Sequence, residues 1–374
     1  MREILFVAGE PSGDLHAATV ARELAARAAP FVLRGVGGDL MAAAGVWLDE
    51  HIRELAVLGL VEVIRHLPKH WSMLADIRAR LRSGSVALVI LVDYPGFNMR
   101  VAQAASEAGV PVLYYIVPQV WAWGSGRLPK MARWITKAAT ILPFEEPLLR
   151  AHGIDATFVG HPLLDGAQDM PSRASARAML GLPPDVPVLA LFPGSRDQEI
   201  DRHLDRFVAT ARVLHAKRPD LRVVLSAAPH VTIDASRCPF PVVRGASLPI
   251  LRAADAAMCK SGTTTLEAAV AGCPHVVAYR THPLTYFVAS HLVTIPRIGL
   301  VNIVADREVA REFVQDALQP RNVAAVLDKL LDASSPERAR MVGDLSDVRR
   351  KLGEPGAGRH VAELALGMAG TRPA

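Results

Sequence analysis

The sequence predicts an α/β protein built from two doubly wound parallel sheets. Apolar runs alternate with helical patterns, and the run at residues 86–92 is continuously apolar, as a strand buried on both faces requires. The alternation breaks near residue 166 and restarts near residue 188. Because 374 residues exceed one typical domain, we expect two domains.

Strands and helices are predicted in regular order along the first half. Six apolar runs are typical of parallel strands: Ile4–Ala8, Phe31–Gly35, Ala87–Asp93, Val110–Val117, Ala139–Leu142 and Ala156–Val159. Helical patterns lie at Leu15–Ala29, near Glu50–Arg82 and at Val101–Ala108. Since the first strand begins three residues from the initiator Met, we expect no secretory segment before it.

The second half repeats the alternation after a segment rich in Ala, Arg, Ser and Pro. Its predicted strands are Val188–Phe192, Leu221–Ser226, Val242–Val243 and His275–Tyr279, and its predicted helices are Gln198–Lys217, Leu248–Ala253 and Thr264–Ala271. The tail from Asn322 to Met368 is helical in composition. We predict a first domain at residues 1–170, a linker at 171–187, a second domain at 188–340 and a helical tail at 341–374.

Composition narrows the class of protein. A formal net charge of +5, spread along the chain, fits anionic phosphates or an anionic membrane surface better than nucleic acid. Three cysteines without C-x-x-C spacing favour a reduced, cytosolic compartment, and no His or Cys spacing indicates a metal site. No apolar run reaches the roughly 18 to 20 residues that span a bilayer.

The turn after the first strand carries the first candidate site. It places polar chemistry at the carboxyl end of a strand and the amino end of a helix, where α/β proteins bind ligands. Its candidate residues are Glu10, Ser12, Gly13, Asp14 and His16. The turn lacks the Gly-x-Gly-x-x-Gly fingerprint, and its two carboxylates would repel a pyrophosphate. Alternatively, Asp14 only caps the following helix, a role equally compatible with the pattern, and Ser12 can both cap that helix and line the site.

Two later loops of the first half also follow strands. Asp93 closes an apolar strand, where partial burial would raise its pKa and let it accept a proton from a sugar hydroxyl. Its alternative is a helix cap, for which Asn98 is better placed. Gln119, Trp121 and Trp123 follow another strand, where the two tryptophans fit a wall for a sugar or an acyl chain, or interdomain packing.

Two glycine turns in the second half suit an anion. The stretch Phe192–Arg196 offers backbone N–H groups and a guanidinium for a diphosphate, from Gly194, Ser195 and Arg196. Ser261, Gly262, Thr263 and Thr264 suit phosphate oxygens, and Glu267 suits a ribose or is a plain helix carboxylate. Lys260 precedes the glycine instead of following it, so the Walker A spacing of an ATPase is absent.

The segment Leu55–Leu74 is strongly apolar, with Arg65, Lys69 and Trp71 at its polar margins. Such a segment fits a membrane interface that receives acyl chains, or a pair of core helices that ends or kinks at Pro68.

These motifs together resemble the lipid-A-disaccharide synthase family of bacterial glycosyltransferases. The resemblance runs in order from residue 1 to about residue 320, through Gly9–Ala18, Val57–Val63, Asp93–Asn98, Pro118–Trp123, Phe192–Arg196, Ser261–Thr263 with Glu267, and Leu300–Asn302. It departs from the family at Val301, where the pattern more often has proline.

The resemblance implies a GT-B fold, with two Rossmann-like domains facing across a cleft and a C-terminal helix crossing back to the first. It implies inverting transfer from UDP-2,3-diacylglucosamine to 2,3-diacylglucosamine 1-phosphate, which gives the β-1,6 disaccharide 1-phosphate and UDP without a cofactor or metal. The enzyme would act as a peripheral protein at the cytoplasmic face of the inner membrane, and a homodimer is left open.

The resemblance also implies residue roles. Asp93 would be the general base and Arg196 would stabilise the departing UDP. The donor would contact Gly194, Ser195, Arg196, Ser261, Gly262, Thr263, Thr264, Glu267 and Asn302. The acceptor side would be lined by Glu10, Ser12, Gly13, Asp14, His16, Asn98, Gln119, Trp121 and Trp123.

Three alternatives remain. A UDP-N-acetylglucosamine 2-epimerase would use the same UDP-binding half without an acyl surface. A membrane-peripheral nucleotide binder would need no catalytic Asp93. An NAD oxidoreductase is disfavoured, because the glycine fingerprint is missing.

Overall fold

The chain folds into two compact units, Met1–Asp165 with Glu354–Ala374, and Gly166–Gly353. The computed structural model describes residues 2–27, 30–54, 60–292 and 295–370. Side chains are described for the same ranges except at 60–67, 288–290 and 292.

Each unit is built on a parallel sheet. In the described residues the first sheet has seven strands in the order β3-β2-β1-β4-β5-β6-β7, and the second has six in the order β10-β9-β8-β11-β12-β13. The strands are β1 Arg2–Ala8, β2 Phe31–Gly37, β3 Trp47–His51, β4 Val86–Val92, β5 Val112–Tyr115, β6 Lys137–Thr140, β7 Ala156–Phe158, β8 Val188–Phe192, β9 Arg222–Ala227, β10 Val242–Arg244, β11 Ala256–Lys260, β12 His275–Tyr279 and β13 Glu312–Val314.

Helices connect the strands and cover both faces of each sheet. They are α1 Pro11–Ala26, α2 Asp39–Ala43, α3 Leu60–Arg82, α4 Pro95–Glu107, α5 Leu128–Trp134, α6 Glu145–Ala151, α7 Leu163–Gly166, α8 Arg173–Met179, α9 Asp197–Lys217, α10 Ser247–Ala253, α11 Thr264–Ala271, α12 Pro283–Leu292, α13 Leu300–Ala305, α14 Pro320–Leu331, α15 Pro336–Lys351 and α16 Ala357–Gly370. The predicted doubly wound parallel architecture is confirmed.

The first unit buries a core on each face of its sheet. One core joins the sheet to α3, α4 and α5, and the other joins it to α1 and α16. The last helix is held closely: a Cβ on Gly358 would lie 2.8 Å from Oγ1 of Thr19, and Nδ1 of His360 lies 3.0 Å from the carbonyl oxygen of Val159. α16 therefore belongs to the first unit, as expected for a C-terminal helix that returns to the first domain.

The second unit includes both the segment predicted as a linker and the start of the predicted tail. In the segment 171–187, α8 carries Arg177, whose guanidinium is buried and donates to Asp255 at 2.8 Å. Of the predicted tail, residues 341–351 lie in α15, which packs on α11 and α13. The ion pair between buried Arg177 and partly buried Asp255 holds α8 on the second unit, and composition alone does not indicate this contact.

Three strands escape the sequence prediction. β3 lies where a helical pattern was expected to begin, and β13 is a three-residue edge strand. β11 is central, but its sequence Ala-Ala-Met-Cys-Lys has little intrinsic strand preference. Burial between β8 and β12 makes it a strand.

Two helices begin earlier than predicted. α1 begins at Pro11, not at Leu15, and α4 begins at Pro95, six residues before Val101. In both cases proline occupies the first turn, where its missing N–H costs no hydrogen bond. Ser12, Asp14 and His16 therefore lie inside α1 and Asn98 inside α4, whereas Glu10 and Asp93 stay in the turns before these helices.

Candidate active site

The turn between β4 and α4 is conformationally strained. Asp93 and Tyr94 have φ angles of 50° and 49°, which is unusual for residues with a side chain. The carbonyl of Asp93 accepts hydrogen bonds from the Tyr114 hydroxyl at 2.8 Å and from the Asn98 amide at 2.7 Å. These bonds fix the direction in which the Asp93 side chain leaves the backbone.

The carboxyl group of Asp93 is half-buried at the carboxyl edge of the first sheet. Burial raises its pKa above the usual range, and the nearby charge of Glu10 raises it further. A carboxylate with a raised pKa is a stronger base than one in water, so Asp93 has the properties that proton abstraction from a hydroxyl requires.

Asn98 is not a helix cap. It lies inside α4 and is fully buried, and its amide donates to the carbonyls of Val7 at 3.2 Å and Val92 at 3.3 Å. The expectation of a cap was wrong because α4 begins at Pro95. Asn98 instead joins β1, β4 and the Asp93 turn.

The opening turn (Gly9–His16) meets the Asp93 turn because β1 and β4 are neighbours. A Cβ on Gly9 would lie 2.3 Å from the Tyr94 ring, so only glycine leaves room for that ring. Gly13 is buried, with Val92 O 3.5 Å from the place of its missing Cβ. Ser12 is exposed, and Glu10 is half-buried as the N-cap residue of α1.

Asp14 caps a helix other than its own. Its buried carboxylate accepts hydrogen bonds from the backbone N–H groups of Gly38 at 2.7 Å, Met41 at 3.0 Å and Leu40 at 3.1 Å. These donors belong to the start of α2. Asp14 therefore joins the opening turn to the β2–α2 connection, and neither it nor Ser12 caps α1 by a side-chain bond.

His16 lies on α1 among other buried polar side chains. Burial lowers its pKa to about 4, although the charge of Asp165 acts in the opposite direction, so the imidazole is neutral near pH 7. Its ring lies edge-on to Tyr115 at 6.3 Å. His161 has a pKa lowered to about 4 for the same reason of burial. No local pattern in the sequence indicates this group, because the ends of β5 and β7 bring Tyr115 and His161 to it.

The loop Gln119–Trp123 is anchored by the carboxyl group of Glu145, a residue that the sequence analysis did not single out. Trp121 packs edge-on against Phe144 at 5.2 Å, and its indole N–H donates to Oε1 of Glu145 at 3.0 Å. Glu145 is buried, and burial raises its pKa to about 7. Trp123 is half-exposed beneath the guanidinium of Arg127, and Gln119 is exposed. An acidic residue after an apolar strand was the available signal.

In the second unit, the Gly194 turn (Gly194–Glu199) connects β8 to α9. Arg196 is exposed at the N-cap position of α9, and Ser195 is exposed beside it. The backbone N–H of Ser195 donates to Oε2 of Glu199 at 2.9 Å. Glu199 lies in the first turn of α9, and no local pattern in the sequence indicates its contact with the turn.

The Gly262 turn (Ser261–Thr263) lies next to the Gly194 turn, because β11 pairs with β8. Gly262 has a φ of 152°, and a Cβ there would meet only the Lys260 ammonium, at 3.8 Å. The Ser261 hydroxyl donates to the carbonyl of Ile298 at 2.7 Å. Thr263 is exposed at the N-cap of α11, and Thr264 begins that helix half-buried. This turn therefore keeps open space above its glycine.

Glu267 and Asn302 lie deeper in the second unit. Oε1 of Glu267 accepts from the Ser247 hydroxyl at 3.1 Å, and burial raises the pKa of Glu267. Asn302 is fully buried, and its amide donates to Ala310 O and to Glu312 while its oxygen accepts from Val309 and Ala310. Those four bonds use both hydrogens and both lone pairs of Asn302.

The comparison with known proteins decides the family. A family model described as lipid-A-disaccharide synthetase matches residues 4–359. The chain belongs to this family. It is 40% identical to the lipid-A-disaccharide synthase of Syntrophus aciditrophicus (strain SB), with 97% of each chain covered. It is 38% identical to that of Geobacter metallireducens, covering 99% of this chain and 98% of the relative. The resemblance read from the motifs is confirmed.

Solved structures share the fold of this member of the lipid-A-disaccharide synthase family. The alignment with the calicheamicin glycosyltransferase CalG4 covers 100% of each chain, with a TM-score of 0.64 at 18% identity. A UDP complex of Staphylococcus aureus MnaA has a TM-score of 0.63 at 11% identity, covering 100% of this chain and 99% of that one. The predicted GT-B class, with two Rossmann-like domains, is confirmed.

Surface features bear on the expected membrane contact. Of the predicted segment Leu55–Leu74, residues 55–59 lie outside the described residues. In the described remainder of α3, Trp71 is 53% exposed, with the guanidinium of Arg100 4.8 Å above its ring. On α12, Leu284 and Phe287 are 67% and 62% exposed, a feature that the sequence analysis missed. No helix in the described ranges is long and apolar enough to cross a bilayer.

Proposed function

We propose that this chain transfers a 2,3-diacylglucosaminyl group from UDP to 2,3-diacylglucosamine 1-phosphate. The products are the β-1,6-linked disaccharide 1-phosphate and UDP. The family match across residues 4–359 carries the proposal, and the chemistry of the two sheet edges supports it.

In the proposed reaction Asp93 is the general base. Its carboxylate removes the proton from the acceptor 6-hydroxyl, and that oxygen attacks C1 of the donor sugar from the face opposite UDP. The bond between C1 and the diphosphate oxygen breaks, and its electron pair leaves with UDP. The raised pKa of Asp93 and the fixed Asp93 turn support this role.

The second unit is proposed to bind the donor. Arg196 and the hydroxyl and backbone groups of Ser195, Ser261, Thr263 and Thr264 suit the diphosphate, with Gly194 and Gly262 shaping the turns, because charge on the departing UDP must be stabilised. Glu267 is proposed to accept from the ribose hydroxyls. Asn302 is proposed to act indirectly, by holding the 299–310 segment next to the Gly262 turn, since its amide is fully bonded.

The first unit is proposed to receive the acceptor. Glu10, Ser12, Gly13 and His16 lie with Asn98 around the Asp93 edge, and Asp14 fixes the turn from behind. Trp121 and Trp123 offer an aromatic surface for a sugar or an acyl chain, with the exposed amide of Gln119 in the same loop. We propose that the protein binds peripherally to the cytoplasmic face of the inner membrane, as a monomer or as a homodimer. Exposed Trp71 and its neighbour Arg100 support contact with anionic lipid.

The test is turnover with both acylated substrates, followed as formation of the disaccharide 1-phosphate and of UDP. Replacement of Asp93 by Asn removes the base but keeps its size, so we expect turnover to fall at least about 10²-fold. The UDP dissociation constant, measured by calorimetry, should stay within about twofold, because the contacts proposed for UDP come from the second unit.

The epimerase alternative predicts a different result in the same assay. Wild-type protein would interconvert UDP-N-acetylglucosamine and its C2 epimer and would form no disaccharide. A Listeria monocytogenes structure titled as a UDP-N-acetylglucosamine 2-epimerase has a TM-score of 0.63 at 12% identity, a similarity of fold alone. Full turnover in the Asp93→Asn protein would contradict the proposed base.

A further inference from the structure

The Gly194 turn already holds an anion, and the anion belongs to the chain. Oε2 of Glu199 accepts a hydrogen bond from the backbone N–H of Ser195 at 2.9 Å. Gly194 has a φ of 143°, and a Cβ there would lie 2.5 Å from Cβ of Glu199 and 2.7 Å from its Oε2. Glycine is therefore needed at position 194 because Glu199 fills the space above it.

The second oxygen of the same carboxylate holds a lysine. Oε1 of Glu199 lies 2.7 Å from the ammonium of Lys260, and these two side chains are 16% and 20% exposed. Lys260 ends β11 and directly precedes the Gly262 turn. One carboxylate thus bridges the two turns to which the diphosphate is assigned, although the Gly262 turn itself stays open.

Glu199 is charged in this arrangement. Burial alone would raise its pKa, but hydrogen bonds from Lys260 and from Ser195, with the charges of Lys260 and Arg196, outweigh burial and hold the pKa below the usual range. A backbone N–H at a helix start and a lysine ammonium are two groups that commonly bind phosphate. Both are occupied by a single internal anion of lower charge than a diphosphate.

We propose that the carboxylate of Glu199 is a displaceable occupant of the donor diphosphate site. In this proposal, which rests on the proposed function, the diphosphate takes the N–H of Ser195 and the ammonium of Lys260 while Glu199 turns away. When UDP leaves, Glu199 returns to both partners. No covalent bond changes, and the exchange replaces one set of charge-assisted hydrogen bonds by another.

The surroundings allow this exchange. Ser195, Arg196 and Asp197 are exposed, so the carboxylate has solvent next to it when it leaves the turn. The diphosphate carries more charge and more oxygen acceptors than one carboxylate, so it forms the stronger set of bonds with the same donors. Return of Glu199 lowers the net affinity for UDP and favours product release.

The test compares dissociation constants of UDP and of uridine, measured by calorimetry on the full chain. Glu199→Gln keeps the size of the side chain but removes the competing charge, so we expect UDP to bind about fivefold tighter. Uridine, which has no phosphate, should bind as in the wild type. Lys260→Met should weaken UDP binding about fivefold or more, because the diphosphate loses the ammonium.

Asp197→Asn is the matched control. Asp197 is an exposed acidic residue in the same first turn of α9, and the backbone N–H of Ser195 donates to Glu199 instead of to Asp197. This variant tests whether the loss of any negative charge near the turn is enough to tighten UDP binding. We expect less than a twofold change for this variant, since an exposed charge is screened.

Glu199→Asp is a second variant if the glutamine protein is poorly folded. Aspartate keeps the charge but is one methylene too short to reach both partners, so UDP should again bind more tightly than to the wild type.

Three results would overturn the proposal. If UDP binds both Glu199 variants as tightly as the wild type or more weakly, Glu199 has a structural role and is not displaced by the diphosphate. An equal gain in Asp197→Asn would make the effect one of general charge. Failure of the wild-type protein to bind UDP or uridine would refute the proposed donor as well, whereas unchanged tight UDP binding in the variants would refute only the displacement.

Discussion

The opening turn and the Gly194 turn share one local pattern and use it differently. Each follows a strand with a glycine and places a carboxylate in the first turn of the next helix. Asp14 reaches away from the opening turn and binds three N–H groups at α2, whereas Glu199 reaches back and binds the N–H of its own turn. The pattern therefore locates a sheet edge. The direction of the carboxylate decides whether that carboxylate stabilises a neighbouring helix or occupies its own turn.

The glycines of the two turns also differ in what requires them. A side chain at Gly9 would meet the ring of Tyr94, which comes from a neighbouring strand's turn. A side chain at Gly194 would meet Glu199, five residues along the same turn. In the opening turn the glycine serves packing between two connections, and in the Gly194 turn it makes room for a charged group.

Replacing the two carboxylates should give the largest contrast. In Asp14→Asn an amide group replaces the carboxylate that accepts from three backbone N–H groups, and two of these three hydrogen bonds are buried. We therefore expect the free energy of unfolding to fall by about 3 kcal/mol. Glu199→Gln should lose under about 1 kcal/mol, because the pair is only partly buried and the amide can turn into the solvent beside the exposed Ser195 and Arg196. Urea denaturation of both variants measures the difference. Similar losses would mean that the two carboxylates have the same scaffold role.

A smaller effect is expected from the opening glycine. Gly9→Ala pushes a methyl group against the Tyr94 ring and should reduce the free energy of unfolding by about 2 kcal/mol. Tyr94→Asn removes the ring and tolerates the left-handed backbone at that position. In the double variant the cost of alanine at position 9 should shrink to under about 1 kcal/mol. Strictly additive losses would show that the Tyr94 ring does not require the glycine.

The smallest effect concerns the charge that the opening turn adds to Asp93. Glu10→Gln removes a negative charge that raises the pKa of Asp93, so that pKa falls and the carboxylate persists to lower pH. The acid limb of the kcat/KM profile should move down by about 0.5 pH unit. Ser12→Ala, at an exposed position of the same turn, is the control and should not move it. An upward shift would contradict the assigned cause.

Much of the architecture was predictable, because burial on both faces gives parallel strands long apolar runs. The run at residues 86–92 and the opening strand were placed correctly. The alanine-rich β11 was missed, since its strand conformation depends on its neighbours β8 and β12. The starts of α1 and α4 were misplaced because proline at a helix start was taken as part of the loop.

The candidate site was predictable to the level of loops but not of contacts. Asp93 was correctly placed at a strand end, and burial does raise its pKa. The bond from Asn98 to Val7, the bond from Gly38 to Asp14 and the Trp121–Glu145 bond join residues 24 to 91 positions apart. Only the order of strands in the sheet brings such residues together.

The sequence by itself determined the two α/β halves, the sheet edges that carry polar loops and the family to which the chain belongs. These follow from local patterns of apolar, glycine and polar residues, which one strand or one turn expresses alone. The tertiary structure decided what each polar group binds: Asp14 a distant helix, Asn98 two strands, and Glu199 its own turn together with Lys260. Hydrogen bonds require contact within about 3 Å, and contact between distant residues exists only after the sheets have formed.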